Sequence, residues 1–548
     1  MDRSRTYTSL HAALRSVVRR SPRGLWLALL GCSGAWLSAP AHVSQATAEP
    51  SRALGTPERA LRAVAQTPPR AVIPVPRRRT QPALGPEALD RPAAEPALAG
   101  GSTLTGPALN PELRRLRRAA QERVLGHDCP PGSEALPYAA FGAGTRITPA
   151  AHARPLTEKA PGLGHFVAIE NESALDHFHS ALARLAAGAD DDGKVRILAY
   201  GASHTQADVY PGYLRAYLQS RFGDGGQGFV LFGRVNDWYR TLDSRARHRE
   251  LVVHHARLDV ASEPKPLGLL GAALVGHSGN GFGEILTAKD SASTRFEAHY
   301  FKQPGGGDFS LQVDGRTMAR IATHSESAGA GYYAFETLPG RHTIRAQLHG
   351  NGPVRLFGVS GETATPGVVV DTLGIGGSRM ADSLRWSEDV WADALRRRNP
   401  DLVLFAYGTN ETMGRSPSIA IYEQQLRAVL ARLRRAAPAV SCALIAPFDL
   451  PKSGRTRLLR VLDAQRRVSR DFGCGFWDGY AFMGGAGSIR RWAAAKPPLA
   501  SSDRVHLTRR GYVYAGIALG DALMRGYDAP AAQRSEPVAV ASPPVAAP

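Results

Sequence analysis

Apolar positions along the chain follow two different rhythms, and each predicts a different kind of structure. Ser173 is placed to cap a helix whose apolar residues Leu175, Phe178, Leu182 and Leu185 recur at helical spacing. The next apolar run, Val195 to Tyr200, reads as a buried strand that stops at Gly201-Ala202-Ser203-His204-Thr205, with a helix expected from about Pro211 to Phe222. The same alternation returns later. Val368-Val369-Val370 ends at Gly374-Ile375-Gly376-Gly377, and Leu402 to Phe405 ends at Tyr407-Gly408-Thr409-Asn410-Glu411. Strands at Ser441 to Ile445 and Gly475 to Trp477 complete the set, with helices predicted near 385–398, 418–436, 455–471 and 509–525. Strands alternating with helices predict a parallel sheet covered on both faces, whose chemistry collects at the carboxyl ends of the strands.

Between these two blocks the rhythm changes to period two. Leu251 to Val253, Arg295 to Tyr300, Phe309 to Val313 and His342 to Ala346 alternate in this way, and Asp314-Gly315 is a hairpin signal. The expected architecture is therefore an α/β domain read as 151–224 and 366–528, interrupted at 225–365 by an all-β sandwich. Residues 49–150 are rich in Pro, Ala and Arg with little periodicity and read as a disordered linker with at most one short helix, near Glu112 to Val124. The tail, 529–548, reads likewise.

The amino terminus has six arginines up to Arg23, an apolar run from Leu25 to Leu37, and small-residue sites at Ala39-Pro40-Ala41 and Ala46-Thr47-Ala48. That is the layout of a secretory signal peptide, assigned to 1–48, and it predicts an exported protein, periplasmic or extracellular. Leu29-Leu30-Gly31-Cys32 offers an alternative, a lipoprotein site; peripheral membrane contact is expected only if Cys32 is acylated. Export places Cys129, Cys442 and Cys474 in an oxidising compartment. Cys442 and Cys474 either bridge or remain two buried thiols.

The net charge of +19 changes little once it is located. Residues 2–23 carry six Arg against Asp2 and residues 49–126 carry 13 Arg against seven acids, which leaves +8 over the remainder. No dense basic stripe with interleaved aromatics exists, which argues against nucleic acid as a partner. No metal-ligand spacing appears, and no cofactor is called for.

Four short segments carry candidate chemistry. Ser203 stands at the turn from a buried strand into a helix, where an activated serine would be presented, although a serine there is also an ordinary helix cap. Asp503 and His506 lie three apart just before a helix, a spacing that lets a carboxylate orient an imidazole; a solvated Asp beside an incidental His is the plainer reading. The side chain of Asn410 and the backbone amides of Ser203 and Gly377 are candidate oxyanion donors, although each, taken singly, reads more readily as a turn residue. Their order at successive strand ends is what joins them into one constellation.

With these residues in view, the sequence resembles the SGNH/GDSL hydrolase superfamily. Gly201-Ala202-Ser203-His204, Gly374 to Gly377, Gly408 to Glu411 and Asp503 to His506 match its four motifs, over roughly 190–225 and 366–526. The resemblance implies a flavodoxin-like α/β/α sandwich and a metal-free acyl-enzyme mechanism. Ser203, Asp503 and His506 would be catalytic, and Ser203, Gly377 and Asn410 would form the oxyanion hole. Two departures stand out: Ala202 replaces the usual Asp, and Gly376 stands where many relatives have Asn. The Ser-His-Thr variant with an inserted β module looks most like exported peptidoglycan O-acetylesterases, in which the insertion, jelly-roll-like, resembles a carbohydrate-binding module. His299, Tyr300, Tyr332 and Tyr333 would then either stack on sugar or simply pack the sandwich. The implied substrate is an acylated cell-envelope polysaccharide or a small ester. A glycan O-acetyltransferase, a lipase or thioesterase, and a non-catalytic glycan-binding protein are the alternatives.

Overall fold

The computed structural model describes residues 111–126, 164–257, 264–414 and 416–529. The segment read as a signal peptide, Cys32, Cys129, most of the expected linker and the tail from 530 lie outside them.

In chain order, α1 (Pro111–Leu125) and α2 (Asp176–Ala186) precede β1 (Lys194–Gly201), α3 (Ser203–Gln206) and α4 (Tyr210–Phe222). Eleven strands follow: β2 (Gly228–Leu231), β3 (Ser244–Arg249), β4 (Val252–His255), β5 (Ala272–Gly276), β6 (Phe282–Thr287), β7 (Arg295–Lys302), β8 (Asp308–Val313), β9 (Arg316–Ala322), β10 (Gly329–Glu336), β11 (Thr343–Leu348) and β12 (Val354–Glu362). Then come β13 (Gly367–Gly374), α5 (Glu388–Arg398), β14 (Leu402–Ala406), α6 (Thr409–Thr412), α7 (Ile419–Ala436), β15 (Ser441–Ile445), α8 (Lys452–Asp471), β16 (Gly475–Trp477), α9 (Gly479–Phe482), α10 (Ser488–Ala494) and α11 (Arg509–Asp528).

The strands β13-β1-β14-β15-β16 form a parallel sheet in that spatial order. Counted by appearance in the chain this is 2-1-3-4-5, the flavodoxin-like winding. Side chains alternate across the sheet as a pleated strand requires. Val195, Ile197, Leu402, Leu404, Ala443 and Ile445 join the core formed with α1, α2, α4 and α11. Leu198, Tyr200, Val403, Phe405, Cys442 and Leu444 face the other way, toward α5, α7, α8 and the β module. Helices on both faces explain why these strands read as unbroken apolar runs. Cys442 and Cys474 are joined in a disulfide, which decides the alternative left open above.

The segment between β1 and β13 forms two antiparallel sheets, β10-β7-β12-β5-β4 with β2 paired to β12, and β3-β6-β11-β8-β9. They meet through contacts such as Tyr300 on Phe309, with ring centroids 5.4 Å apart. Asp314 and Gly315 both take positive φ, 51° and 80°, as a two-residue hairpin turn demands. Against the sugar-stacking alternative, His299 is buried between Phe229 and Tyr332. The Tyr332 hydroxyl donates to Asp393 on α5 at 2.6 Å, and Arg397 lies over its ring and pairs with Glu297. These aromatics fill the module and fasten it to the α/β domain. Trp391 Nε1 donates to the Tyr200 hydroxyl, which donates to the Leu269 carbonyl, and so extends that seam.

The helix expected within the linker belongs instead to the fold. Ala120, Val124 and Leu125 of α1 are buried against α4 and α11, and Arg117 is buried in an ion pair with Asp521. An Arg-rich segment looks solvated in isolation. A distant carboxylate is what allows this one to bury a face.

Candidate active site

The four motif segments converge at the carboxyl edge of the parallel sheet. β1 ends at Gly201, and Ser203 is the first residue of α3, set by the Thr205 and Gln206 amides bonding back to the Ala202 carbonyl, each at 3.0 Å. The last loop comes to it from the other end of the domain. Ser501 N donates to the His506 carbonyl at 2.8 Å, and Arg504, at φ 55°, reverses the chain between them. One Asp503 oxygen accepts the amides of Val505 and His506, at 2.9 and 3.0 Å, and the other lies 2.6 Å from His506 Nδ1. His506 Nε2 is 2.9 Å from Ser203 Oγ. With Nδ1–H donated to the carboxylate, Nε2 presents its lone pair to the serine hydroxyl.

Partial burial pushes the Asp503 carboxyl up, but the hydrogen bonds from the His506 ring and the two amides outweigh it and hold the group below the usual carboxylate range. His204, next to the serine, is different. Its ring centroid lies 5.2 Å from that of His506, its Nδ1 is 2.8 Å from the Tyr512 hydroxyl, and burial drives its pKa down to about 3, so it stays neutral.

The three predicted oxyanion donors come together at the same edge, and one of them is partly occupied. Among the described residues, the amides of Ser203 and Gly377 have no hydrogen-bond partner. The Asn410 side-chain amide donates one hydrogen to the Ser378 carbonyl at 2.8 Å, which leaves the other for a ligand. Gly377 has φ 76°, a conformation that a residue with a side chain adopts only with strain.

Residues outside the predicted set hold this arrangement. The Gln206 side-chain oxygen accepts the Gly376 amide at 2.7 Å and the Asn236 side-chain amide at 3.3 Å. A Cβ on Gly376, one of the two sequence departures, would lie 2.6 Å from that oxygen, so a side chain there requires Gln206 to move. Glu411 is buried and accepts the amides of Met380 and Gly408, both at 2.9 Å, and so ties the glycine segment to the asparagine segment; burial raises its pKa while those amides oppose the rise. Arg257, from the β module, donates Nη1 to the Gly376 carbonyl at 3.1 Å. Gln206 and Glu411 sit within or beside the motifs and were open to discovery there. Nothing local marks Arg257, because its partner lies across an intervening fold.

A serine hydroxyl, a lone-pair imidazole nitrogen, a carboxylate behind it and free N–H groups on the far side form an arrangement suited to acyl transfer from an ester. Residues 326–514 match the sequence model of the GDSL-like Lipase/Acylhydrolase family, a span that begins among the last strands of the β module, downstream of Ser203, and takes in Gly377, Asn410, Asp503 and His506. The chain thus carries a GDSL-like lipase/acylhydrolase domain, and it is a carboxylic ester hydrolase. Among solved structures it is similar to a peptidoglycan O-acetylesterase, with 27% identity, a TM-score of 0.54, and coverage of 65% of this chain and 97% of that one. It also matches the acetyl xylan esterase AlAXEase, with 19% identity, a TM-score of 0.23, and coverage of 28% and 80%. A third match is a family two carbohydrate esterase from Cellvibrio japonicus, with 10% identity, a TM-score of 0.22, and coverage of 52% and 99%. No curated protein matches the sequence.

Proposed function

We propose that this protein is an exported serine esterase that removes O-acetyl groups from a cell-envelope glycan through an acetyl-serine intermediate. The observation that carries the reading is the continuous chain Asp503–His506–Ser203, with the unpartnered Ser203 and Gly377 amides beside it. His506 takes the Ser203 proton as Oγ attacks the acetyl carbonyl carbon. The Ser203 and Gly377 amides and the second Asn410 hydrogen stabilise the oxyanion, while Asp503 stabilises the imidazolium. His506 then protonates the departing sugar oxygen. Water, deprotonated by His506, attacks the acetyl-serine, and acetate leaves as Ser203 regains its proton.

Support for a glycan comes from the similarity to a peptidoglycan O-acetylesterase and from the inserted module, which we read as jelly-roll-like. Trp238, 71% exposed, follows Asn236, whose side chain bonds Gln206 three residues after the serine, and an exposed indole there is suited to stacking on a sugar ring. The amino-terminal layout supports export.

The test is acetate release from an aryl acetate and from acetylated glycan by wild type and Ser203→Ala, together with fluorophosphonate labelling. Loss of both release and labelling in the variant is expected; equal rates would sink the proposal. The same residues could pass the acetyl group to a sugar hydroxyl, so a sugar acceptor is included, and acetate as sole product excludes transfer.

A further inference from the structure

The Arg257 guanidinium occupies an unusual place for a residue of the β module. A Cβ built on Gly377 would lie 2.6 Å from its Cζ, so the guanidinium sits directly against the α-carbon of the residue whose amide is proposed to hold the oxyanion. Arg257 is exposed, and among the described residues its one hydrogen bond is to the Gly376 carbonyl. Arg215, Arg397 and Arg398 each pair with a carboxylate; no described carboxylate pairs with Arg257. A guanidinium holds several N–H donors in a planar fork, and a single carbonyl uses only one of them. Among the described residues nothing takes up the remainder, and beside Gly377 a cation with unfilled donors matches the planar geometry of a carboxylate.

The geometry points to Arg257 as a specificity-determining residue that binds a carboxylate carried by the glycan near the acylated sugar, so the preferred substrate is an acidic acetylated glycan. This deepens the esterase reading and rests on it. It also gives the insertion a direct part in substrate choice, because the module supplies the cation and the α/β domain supplies the nucleophile.

The experiment compares two forms of one acetylated glycan, native with its carboxylates and the same material with those carboxylates converted to neutral amides. Wild type, Arg257→Gln and Arg257→Lys are assayed on both. The readout is the ratio of kcat/KM on the acidic form to kcat/KM on the neutral form. In Arg257→Gln this ratio is expected to fall about 10- to 100-fold, the size of a lost charge-assisted contact, mainly through KM on the acidic form. Arg257→Lys keeps the charge but not the fork and should recover part of the ratio. Raising ionic strength should lower the wild-type ratio and leave that of Arg257→Gln unchanged. A ratio unchanged in Arg257→Gln, even with both rates lowered, would overturn the inference and leave Arg257 as a support for the Gly376–Gly377 turn. Failure of the esterase reading is distinct, since wild type would then release no acetate from either glycan or from an aryl acetate.

Discussion

Truncating Gln206 should slow catalysis without abolishing substrate binding. Its side chain is 5% exposed, and its oxygen is the acceptor for the buried Gly376 amide at 2.7 Å. Gln206→Ala leaves that N–H without its partner, at a cost of about 1–3 kcal/mol for an unsatisfied buried donor. The turn can relieve this by shifting, and any shift moves the Gly377 amide, the proposed oxyanion donor, with it. Complete loss of one such donor costs roughly 100- to 1000-fold in kcat. The shift is restrained, because Ile375 N still bonds the Gly201 carbonyl, Ser378 N bonds the Ile375 carbonyl and Asn410 holds the Ser378 carbonyl. A fall in kcat of about 10- to 100-fold, with KM for a small aryl acetate nearly unchanged, is therefore expected. Gln206→Met separates the hydrogen bond from the volume, since it refills the space without an acceptor. Steady-state kinetics on both variants decide the matter: wild-type kcat in Gln206→Met would refute the reasoning, whereas similar losses in both would support it.

Two further predictions concern pH and covalent stability. Asp503 is held below the usual carboxylate range, so its support for the folded loop is present above the unfolded carboxylate pKa and is lost only as pH falls through the lower folded value. Asp503 therefore stays charged well into acid, and the acid limb of log kcat/KM should keep a slope near one down to about pH 4, with no second ionisation; a slope near two would contradict this. The Cys442–Cys474 bridge spans a sequence separation of 32, and loop closure on that scale contributes about 3–4 kcal/mol. Replacing both cysteines with alanine should lower the Tm by several degrees, and an unchanged Tm would show that the bridge adds no stability.

How far the sequence discloses this fold depends on how local each determinant is. Val368 to Val370 and Leu402 to Phe405 are apolar on both faces of the sheet, so each strand is visible in its own residues. The α7 helix is equally legible, with Ser418 as its cap and Leu426, Val429, Leu430 and Leu433 on the buried side. Ser203, Gly377, Asn410 and the Asp503–His506 pair can be found because each sits where a strand or loop ends. What escapes is settled by contacts between distant segments. The Arg-rich α1 buries a face only because Asp521 waits on α11. His299 and Tyr332 alternate as well for a sugar-facing surface as for a packed one, and only Phe229 and Asp393 decide between them. Arg257 meets the Gly376–Gly377 turn across a sequence separation of 119 to Gly376, with strands β5 to β12 between them, and no pattern within either segment announces the meeting.

Ala202, the departure from the usual aspartate, is a packed position in this protein rather than a vacated one. It is 3% exposed and belongs to the apolar cluster that includes Leu198 and Tyr200. Its carbonyl already takes the amides of Thr205 and Gln206, so those donors are not free for a carboxylate at 202. The Ser203 amide beside it is without a partner among the described residues, and it is the group proposed to hold the oxyanion. An aspartate introduced here would be desolvated, and its charge would oppose the negative charge that develops beside it. Desolvation raises its folded pKa, so the variant loses stability as pH rises above the unfolded carboxylate pKa and regains it in acid. Ala202→Asp should therefore show lower kcat than wild type and a Tm deficit that is larger at about pH 7.5 than at about pH 4.5. Thermal melts at both pH values and kcat on an aryl acetate test this. Raised kcat with an unperturbed Tm would mean that the alanine limits the enzyme, and that the neighbours of residue 202 already accommodate the acid.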